Sequence, residues 1–220
     1  MPVCARCLKK PEPLSADFFC ASCRTPFQNG FPLDSEGRCA ICRSGLRGFD
    51  AAYCFGFYEG ALRKLIHQFK YFGMKPLARP LGAMLSAALP RETGFDAIVP
   101  VPLHWRRQWG RKYNQSELLA IEISRRTGLP MVPALRRVRP TTAQAGLTNP
   151  ARRRNVAGAF VCRWPGTIAG KRVLLIDDVL TTGSTGAACA AALKRAGANY
   201  IALLTVARVD RRVDRLGGKG

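Results

Sequence analysis

The chain has 220 residues, 35 of them Lys or Arg and 14 Asp or Glu, giving a formal net charge of +21. That length supports one main domain with a small appendage, and 47% hydrophobic with 22% charged residues excludes a disordered chain. No run of about 18 apolar residues occurs, so no membrane span is expected; the opening MPVCARCLKK lacks the apolar core of a signal peptide, which points to the cytoplasm.

Residues 1 to about 50 hold few long apolar runs and three Cys-x-x-Cys pairs: Cys4 with Cys7, Cys20 with Cys23, and Cys39 with Cys42. In a reducing compartment, nine cysteines read as metal ligands plus bystanders rather than as disulfides. Any two pairs can supply the four thiolates of a tetrahedral Zn²⁺ site, whose role would be structural because no coordination position stays open. Twelve residues separate the first and second pairs and fifteen the second and third, so spacing alone slightly favours the latter combination.

From Tyr53 the pattern changes to alternating strand and helix. YCFGFY (53–58) reads as a short strand. GALRKLIHQFKYFG (60–73) places Leu62, Leu65, Ile66 and Phe69 on one face of a helix whose other face is basic. A second helix is expected over 76–89, with Pro76 in its first turn. FDAIVPVPL (95–103) is a strand ending at prolines, and 114–128 a helix with Asn114 as N-cap and Gly128 past its end. Residues 136–157 are basic and loop-like. GAFVCRW (158–164) and RVLLID (172–177) read as strands, 184–198 as an Ala-rich helix, and 200–208 as the strand that closes the sheet. Apolar strands alternating with helices predict an α/β domain with a mostly parallel sheet, in which ligands sit at the carboxyl ends of the strands.

One such end is VLLIDDVLTTGST (173–185), where a basic chain places two of its scarce carboxylates, Asp177 and Asp178, side by side. The loop that follows opens a helix, where free N–H groups and the helix dipole favour a phosphate. Gly183 permits close backbone approach, and Thr181, Thr182, Ser184 and Thr185 add hydroxyls. The two acids can accept hydrogen bonds from the vicinal hydroxyls of a ribose, so the stretch suits a sugar 5′-phosphate. Helix capping alone would explain the hydroxyls but not the acid pair. No Walker-type loop is present. The charge favours a polyanionic partner, since counterion release from phosphates drives such binding. Trp105, Trp109 and Tyr113 interleave with arginines as stacking platforms do, although core packing suits them equally. His67 lies on the basic helix face. His104 stands beside the proline-broken strand end, as a polar loop residue or a catalytic group. Cys162 and Cys189 fall in core-like patterns.

VLLIDDVLTTGST resembles the phosphoribosyl-pyrophosphate (PRPP) signature of type I phosphoribosyltransferases. IVPVPLHWRRQWGRKYNQSELLA (98–120), TTAQAGLTNPARRRNVAGAF (141–160) and LIHQFKYFG (65–73) are similar to the ComF-type family, and the likeness covers nearly the whole chain. It implies a zinc ribbon over 1–50 and a phosphoribosyltransferase-like domain over 51–220. Asp177 and Asp178 would hold the ribose hydroxyls, and Thr181, Thr182, Gly183, Ser184 and Thr185 the 5′-phosphate. The turn around Pro102 and Leu103 would be the pyrophosphate loop, with Arg106, Arg107 and Arg111 neutralising pyrophosphate together with Mg²⁺. Residues 139–155 correspond to a mobile loop, and Lys70, Gln144, Arg152 and Asn155 match substrate or loop positions. Lys112 stands where the family has glycine. The family pattern places the metal on Cys4, Cys7, Cys20 and Cys23. It further implies PRPP and single-stranded DNA as partners, and a role in DNA uptake alongside the uptake machinery. A nucleotide-salvage phosphoribosyltransferase and a PRPP-sensing regulator are the alternatives. No general base is identified.

Overall fold

A computed structural model describes residues 8, 10–27, 30, 33–43, 48–90, 94–103, 113–139 and 155–209. Its centre is a four-stranded sheet built from β3 (Ala51–Phe57), β4 (Ala97–Pro100), β7 (Arg172–Leu180) and β8 (Tyr200–Arg208). The strand order is β3-β8-β7-β4 and every neighbouring pair is parallel. The mostly parallel α/β architecture expected from the sequence is therefore present.

Both faces of this sheet are covered, which is why its strands read as unbroken apolar runs. In β7, Val173 and Leu175 point into one core while Leu174 and Ile176 point into the other; Ile201 and Leu203 alternate with Ala202 and Leu204 in β8 in the same way. One face carries α2 (Gly60–Tyr71), α3 (Ala78–Ala87) and α4 (Gln115–Thr127). The α2 stripe Leu62, Leu65, Ile66 and Phe69 is buried there as the spacing predicts. Pro76 sits in a short 3₁₀ turn, Lys75–Leu77, just before α3 rather than inside that helix. Asn114 caps α4 by accepting from the Ser116 N–H (3.1 Å), and Gly128 ends it in the left-handed region at φ 76°.

The other face carries α5 (Ser184–Arg195) and a separate antiparallel pair, β5 (Leu135–Arg137) with β6 (Phe160–Cys162). Gly186 of α5 lies so close to β8 that an added Cβ would stand 2.8 Å from Leu203, so the helix seats directly on the sheet. One expectation is corrected here: residues 135–137 form a strand at the edge of what reads as loop. The strand expected within 158–164 is present as Phe160–Cys162 and pairs with that segment, outside the parallel sheet.

Short elements near the N-terminus, β1 (Phe18–Phe19), β2 (Pro26–Phe27) and α1 (Ala40–Arg43), belong to the cysteine-bearing segment. Cys20, Cys23 and Cys39 share the hydrophobic core beneath α5 with Val173, Leu175 and Leu203. Backbone bonds join the two regions, Ala52 N–H to the Ser22 carbonyl (3.0 Å) and Leu14 N–H to the Phe55 carbonyl (2.5 Å). Among the described residues no helix is long and apolar enough to cross a membrane.

Candidate functional site

Strand β7 runs three residues beyond its expected end at Asp177, because Val179 and Leu180 still pair with Ala207 and Arg208 of β8. Asp177 and Asp178 thus occupy its carboxyl-terminal part, and successive strand residues face opposite ways, so each acid acquires its own partner. Asp178 is bound by Lys70 from the last turn of α2 at 2.8 Å, the two side chains being 14% and 15% exposed. Asp177 accepts a hydrogen bond from the Ser116 hydroxyl (3.0 Å) and one from the Asp178 N–H (2.9 Å).

The electrostatics follow from this half-buried crowding. Burial, and after it the adjoining Asp178 charge, pushes the Asp177 carboxyl up to about 7, against the pull of Lys70, the Asp178 N–H and the Ser116 hydroxyl. Burial by itself would lower the Lys70 ammonium; the Asp178 carboxylate outweighs it and holds Lys70 above its ordinary value. Two acids with less than two charges of compensation form a site that gains from hydroxyl donors or a cation.

Three residues past Leu180 the chain turns through Gly183, at φ 81°, into α5. An L side chain there would be strained, so glycine sets the turn. The Thr182 and Ser184 hydroxyls lie 2.8 Å apart, and Thr182 Oγ1 accepts from the Ser184 N–H at 3.3 Å. A 12-residue helix therefore begins next to the acids with its N–H groups and dipole turned toward the loop.

Residues 113–116 form a polar seam that sequence reasoning missed beyond the Asn114 cap. The Tyr113 hydroxyl donates to the Phe69 carbonyl, Asn114 Nδ2 to the Val101 carbonyl (3.1 Å), and Gln115 Nε2 to the Lys70 carbonyl (3.4 Å). Asn114, Gln115 and Ser116 are all buried. They tie the end of α2, the end of β4 and Asp177 into one frame. The signal lay in three consecutive polar residues at the mouth of a helix, more than one cap requires.

The second cluster is metal-binding in character. Sγ atoms of Cys20, Cys23, Cys39 and Cys42 all lie within 4.8 Å of one another. A tetrahedral Zn–S shell with bonds of about 2.3 Å needs sulfurs about 3.8 Å apart, and Cys23 and Cys39 are 3.8 Å apart. Cys20 Sγ accepts backbone N–H bonds from Cys23 (3.5 Å) and Cys39 (3.3 Å), as a thiolate ligand does. Against an opposing hydrogen bond with Cys23, bonds from Cys39 and Cys42 bring the Cys20 thiol down to about 6, while hydrogen bonding with Cys20 and Cys23 pushes Cys39 and Cys42 far up. Four thiolates without a cation repel one another. Arg208, only 2% exposed, donates to the Cys23 carbonyl (3.0 Å) and to Thr25 Oγ1 (2.6 Å), and its Nε has no partner. A buried guanidinium with no carboxylate beside it, among the described residues, fits a tetrathiolate zinc centre, whose net charge is negative. Arg24 closes the knuckle at φ 51°, a left-handed conformation costing about 1 kcal/mol. Among the described residues the pair brought against Cys20 and Cys23 is Cys39 and Cys42. Cys4 and Cys7 lie outside the described residues.

A family profile described as uracil phosphoribosyltransferase matches residues 73–219, a span that includes the acid pair and the following loop. Competence protein F of Haemophilus influenzae is 31% identical over 214 residues, covering 94% of this chain and 90% of that protein. The chain belongs to the competence protein F family, with a phosphoribosyltransferase-type domain. DNA utilization protein YhgH of Escherichia coli is 32% identical to this family member over 213 residues, 94% of this chain and 88% of that one. A solved glutamine PRPP amidotransferase from B. subtilis is 22% identical, with a TM-score of 0.44 over 62% of this chain and 30% of its own.

In this member of the competence protein F family, Asp177, Asp178, Lys70 and the 181–185 loop come together at one end of the sheet. The Asn155 and Ala157 carbonyls accept from Arg139 at 3.4 and 2.7 Å. Arg106, Arg107, Arg111, Lys112, Gln144, Arg152, His104, Trp105 and Trp109 lie outside the described residues. Of the remaining residues singled out, Tyr113 and Cys189 are buried core members, Cys162 is partly buried against the core, and His67 is exposed.

Proposed function

We propose that this protein binds PRPP with Mg²⁺ at the end of β7 and acts on or binds single-stranded DNA in the course of DNA uptake. The observation that carries the reading is the acid pair at the carboxyl end of a central parallel strand, set beside a glycine turn that opens a 12-residue helix. Asp177 and Asp178 would accept from the ribose 2′- and 3′-hydroxyls. The N–H groups and hydroxyls of 181–185 would take the 5′-phosphate. Ser116 fixes the Asp177 carboxylate in place, and Lys70 holds a positive charge within reach of the incoming polyphosphate. Mg²⁺ accompanying PRPP would offset charge on the pyrophosphate, with Arg106, Arg107 and Arg111 in support.

Transfer, where it occurs, would form a bond between a nitrogen nucleophile and C1 of the ribose while the C1–O bond to pyrophosphate breaks, the proton leaving from the nucleophile. The names of the relatives, competence and DNA utilization, together with the charge of +21, favour DNA as the macromolecular partner. Division into a zinc-holding segment over 1–50 and a transferase-like domain over 51–220, and action in the cytoplasm, complete the proposal. The uracil phosphoribosyltransferase profile favours a second reading, nucleotide formation from PRPP and a free base.

Two assays test and separate these readings. Single-stranded DNA binding should weaken steeply as salt rises, and salt-independent affinity would contradict the first. Pyrophosphate release with one base of a panel would establish the second, and silence across the panel would remove it.

A further inference from the structure

Helix α2 buries Leu62, Leu65, Ile66 and Phe69, and its opposite face remains in solvent with an unusual composition. Arg63, Lys64, His67 and Tyr71 all lie on that exposed face, followed by Phe72 at the helix end. Tyr71 is 58% and Phe72 63% exposed, the two most exposed large hydrophobic side chains among the described residues. Their rings are grouped around one imidazole. His67 lies 4.8 Å from Tyr71 and 5.6 Å from Phe72, centroid to centroid, with tilted planes. Gly73, at φ 67°, turns the chain sharply after Phe72, and the exposed Lys75 follows, its Nζ over the Tyr113 ring at 5.5 Å.

The stretch that carries the rings is strongly basic. Residues 60–91 contain no Asp or Glu, against six Lys or Arg at 63, 64, 70, 75, 79 and 91. Glu59 and Glu92 flank this stretch in sequence, and Asp178 is held by Lys70 at 2.8 Å. Hydrophobic rings this exposed would ordinarily be buried against a like surface, yet the exposed Arg63, Lys64 and Lys75 share this part of the chain and disfavour a second copy of the same basic chain. A ligand that presents flat aromatic faces along a negatively charged backbone satisfies both features at once.

We infer that the outer face of α2, centred on His67, Tyr71 and Phe72 and rimmed by Arg63, Lys64 and Lys75, is a base-stacking platform for single-stranded DNA. The inference rests on the DNA-binding reading above and gives it a location. The platform adjoins the acid pair, since Lys70 reaches Asp178 while Tyr71 and Phe72, next in the chain, face solvent. A strand stacked on it would therefore pass beside the proposed PRPP site. Duplex DNA, whose base faces are already stacked on their neighbours, offers no free ring faces to this surface.

The test is fluorescence anisotropy with a labelled oligo-dT strand and with a duplex of equal length, on the full chain. The variants are Tyr71→Ala with Phe72→Ala, the same positions changed to Trp, and Arg63→Gln with Lys64→Gln. Stacking contacts of this kind predict a loss of roughly tenfold or more in single-strand affinity for the double alanine variant. Its salt slope should be unchanged, and the tryptophan variant should retain affinity. The Arg63 and Lys64 variant should instead flatten the salt slope by up to about 2 units. Because both aromatic side chains are exposed, the melting temperature should stay within a degree or two, which separates lost contact from lost fold. Wild type that fails to bind the strand would remove the DNA reading itself. Wild type that binds while the double alanine variant binds equally well would overturn the platform alone. Sedimentation that turns from dimer to monomer in that variant, with strand affinity intact, would likewise overturn it by assigning the face to self-association.

Discussion

Replacing Asp177 by Asn should make the unliganded protein more stable above neutral pH, not less. An unfolded Asp ionises near 3.9, whereas burial and the Asp178 charge raise Asp177 to about 7 in the fold. Between those values the folded chain binds more protons than the unfolded one, so its stability falls as pH rises through that window. About 3 units at about 1.4 kcal/mol each amount to a penalty of roughly 4 kcal/mol, complete above pH 7. An Asn side chain keeps the Oδ1 that accepts from Ser116 and from the Asp178 N–H, and removes the charge. Denaturant unfolding should therefore place the variant about 2–4 kcal/mol above wild type at pH 8, with the two converging toward pH 4. A variant less stable than wild type at pH 8, or a difference that ignores pH, would refute the electrostatic account of the acid pair. Such strain is what a binding site holds in reserve for its ligand.

Other expectations follow from single contacts. Cys39→Ser or Cys42→Ser should abolish bound zinc as read by metal analysis and lower the melting temperature, while Cys4→Ser with Cys7→Ser should leave one zinc per chain. Lys70→Met should destabilise by up to about 3 kcal/mol, because it strands the Asp178 carboxylate; adding Asp178→Asn should restore most of that loss, which a double-mutant cycle would measure. Asn114→Ala removes both a helix cap and the bond to the Val101 carbonyl. It should cost about 1–2 kcal/mol in chemical unfolding. PRPP binding requires an ionised Asp177, so near pH 7 it should release protons, visible as a calorimetric enthalpy that varies with the buffer's ionisation enthalpy.

What could be read from the sequence was whatever is decided within a few residues. The α2 stripe, the Asn114 cap and the Gly128 stop depend on local spacing and backbone conformation, and all three stand in the fold. The acid pair before a glycine turn was equally legible, because a carboxylate pair at an apolar strand end has few other uses. The contacts that give those acids their character were not. Ser116 and Asp177 are 61 residues apart in sequence, and nothing local says which hydroxyl will reach which acid. The approach of Cys39 and Cys42 to Cys20 and Cys23 was hidden for the same reason: twelve-residue and fifteen-residue loops close at nearly equal entropy, and the burial of Cys39 against the α5 core is a tertiary fact. Likewise, Leu135–Arg137 is too short and basic to announce itself as a strand and exists because Phe160–Cys162 pairs with it.

The most direct measurement is calorimetric titration of the protein with PRPP and Mg²⁺, on wild type and on the Asp177→Asn, Asp178→Asn double variant. Wild type should bind one PRPP per chain, and the double variant, folded by circular dichroism, should lose that binding. A folded double variant that binds PRPP as wild type does, or a wild type that gives no heat at any temperature tried, would contradict the assignment of the pentose to these two carboxylates.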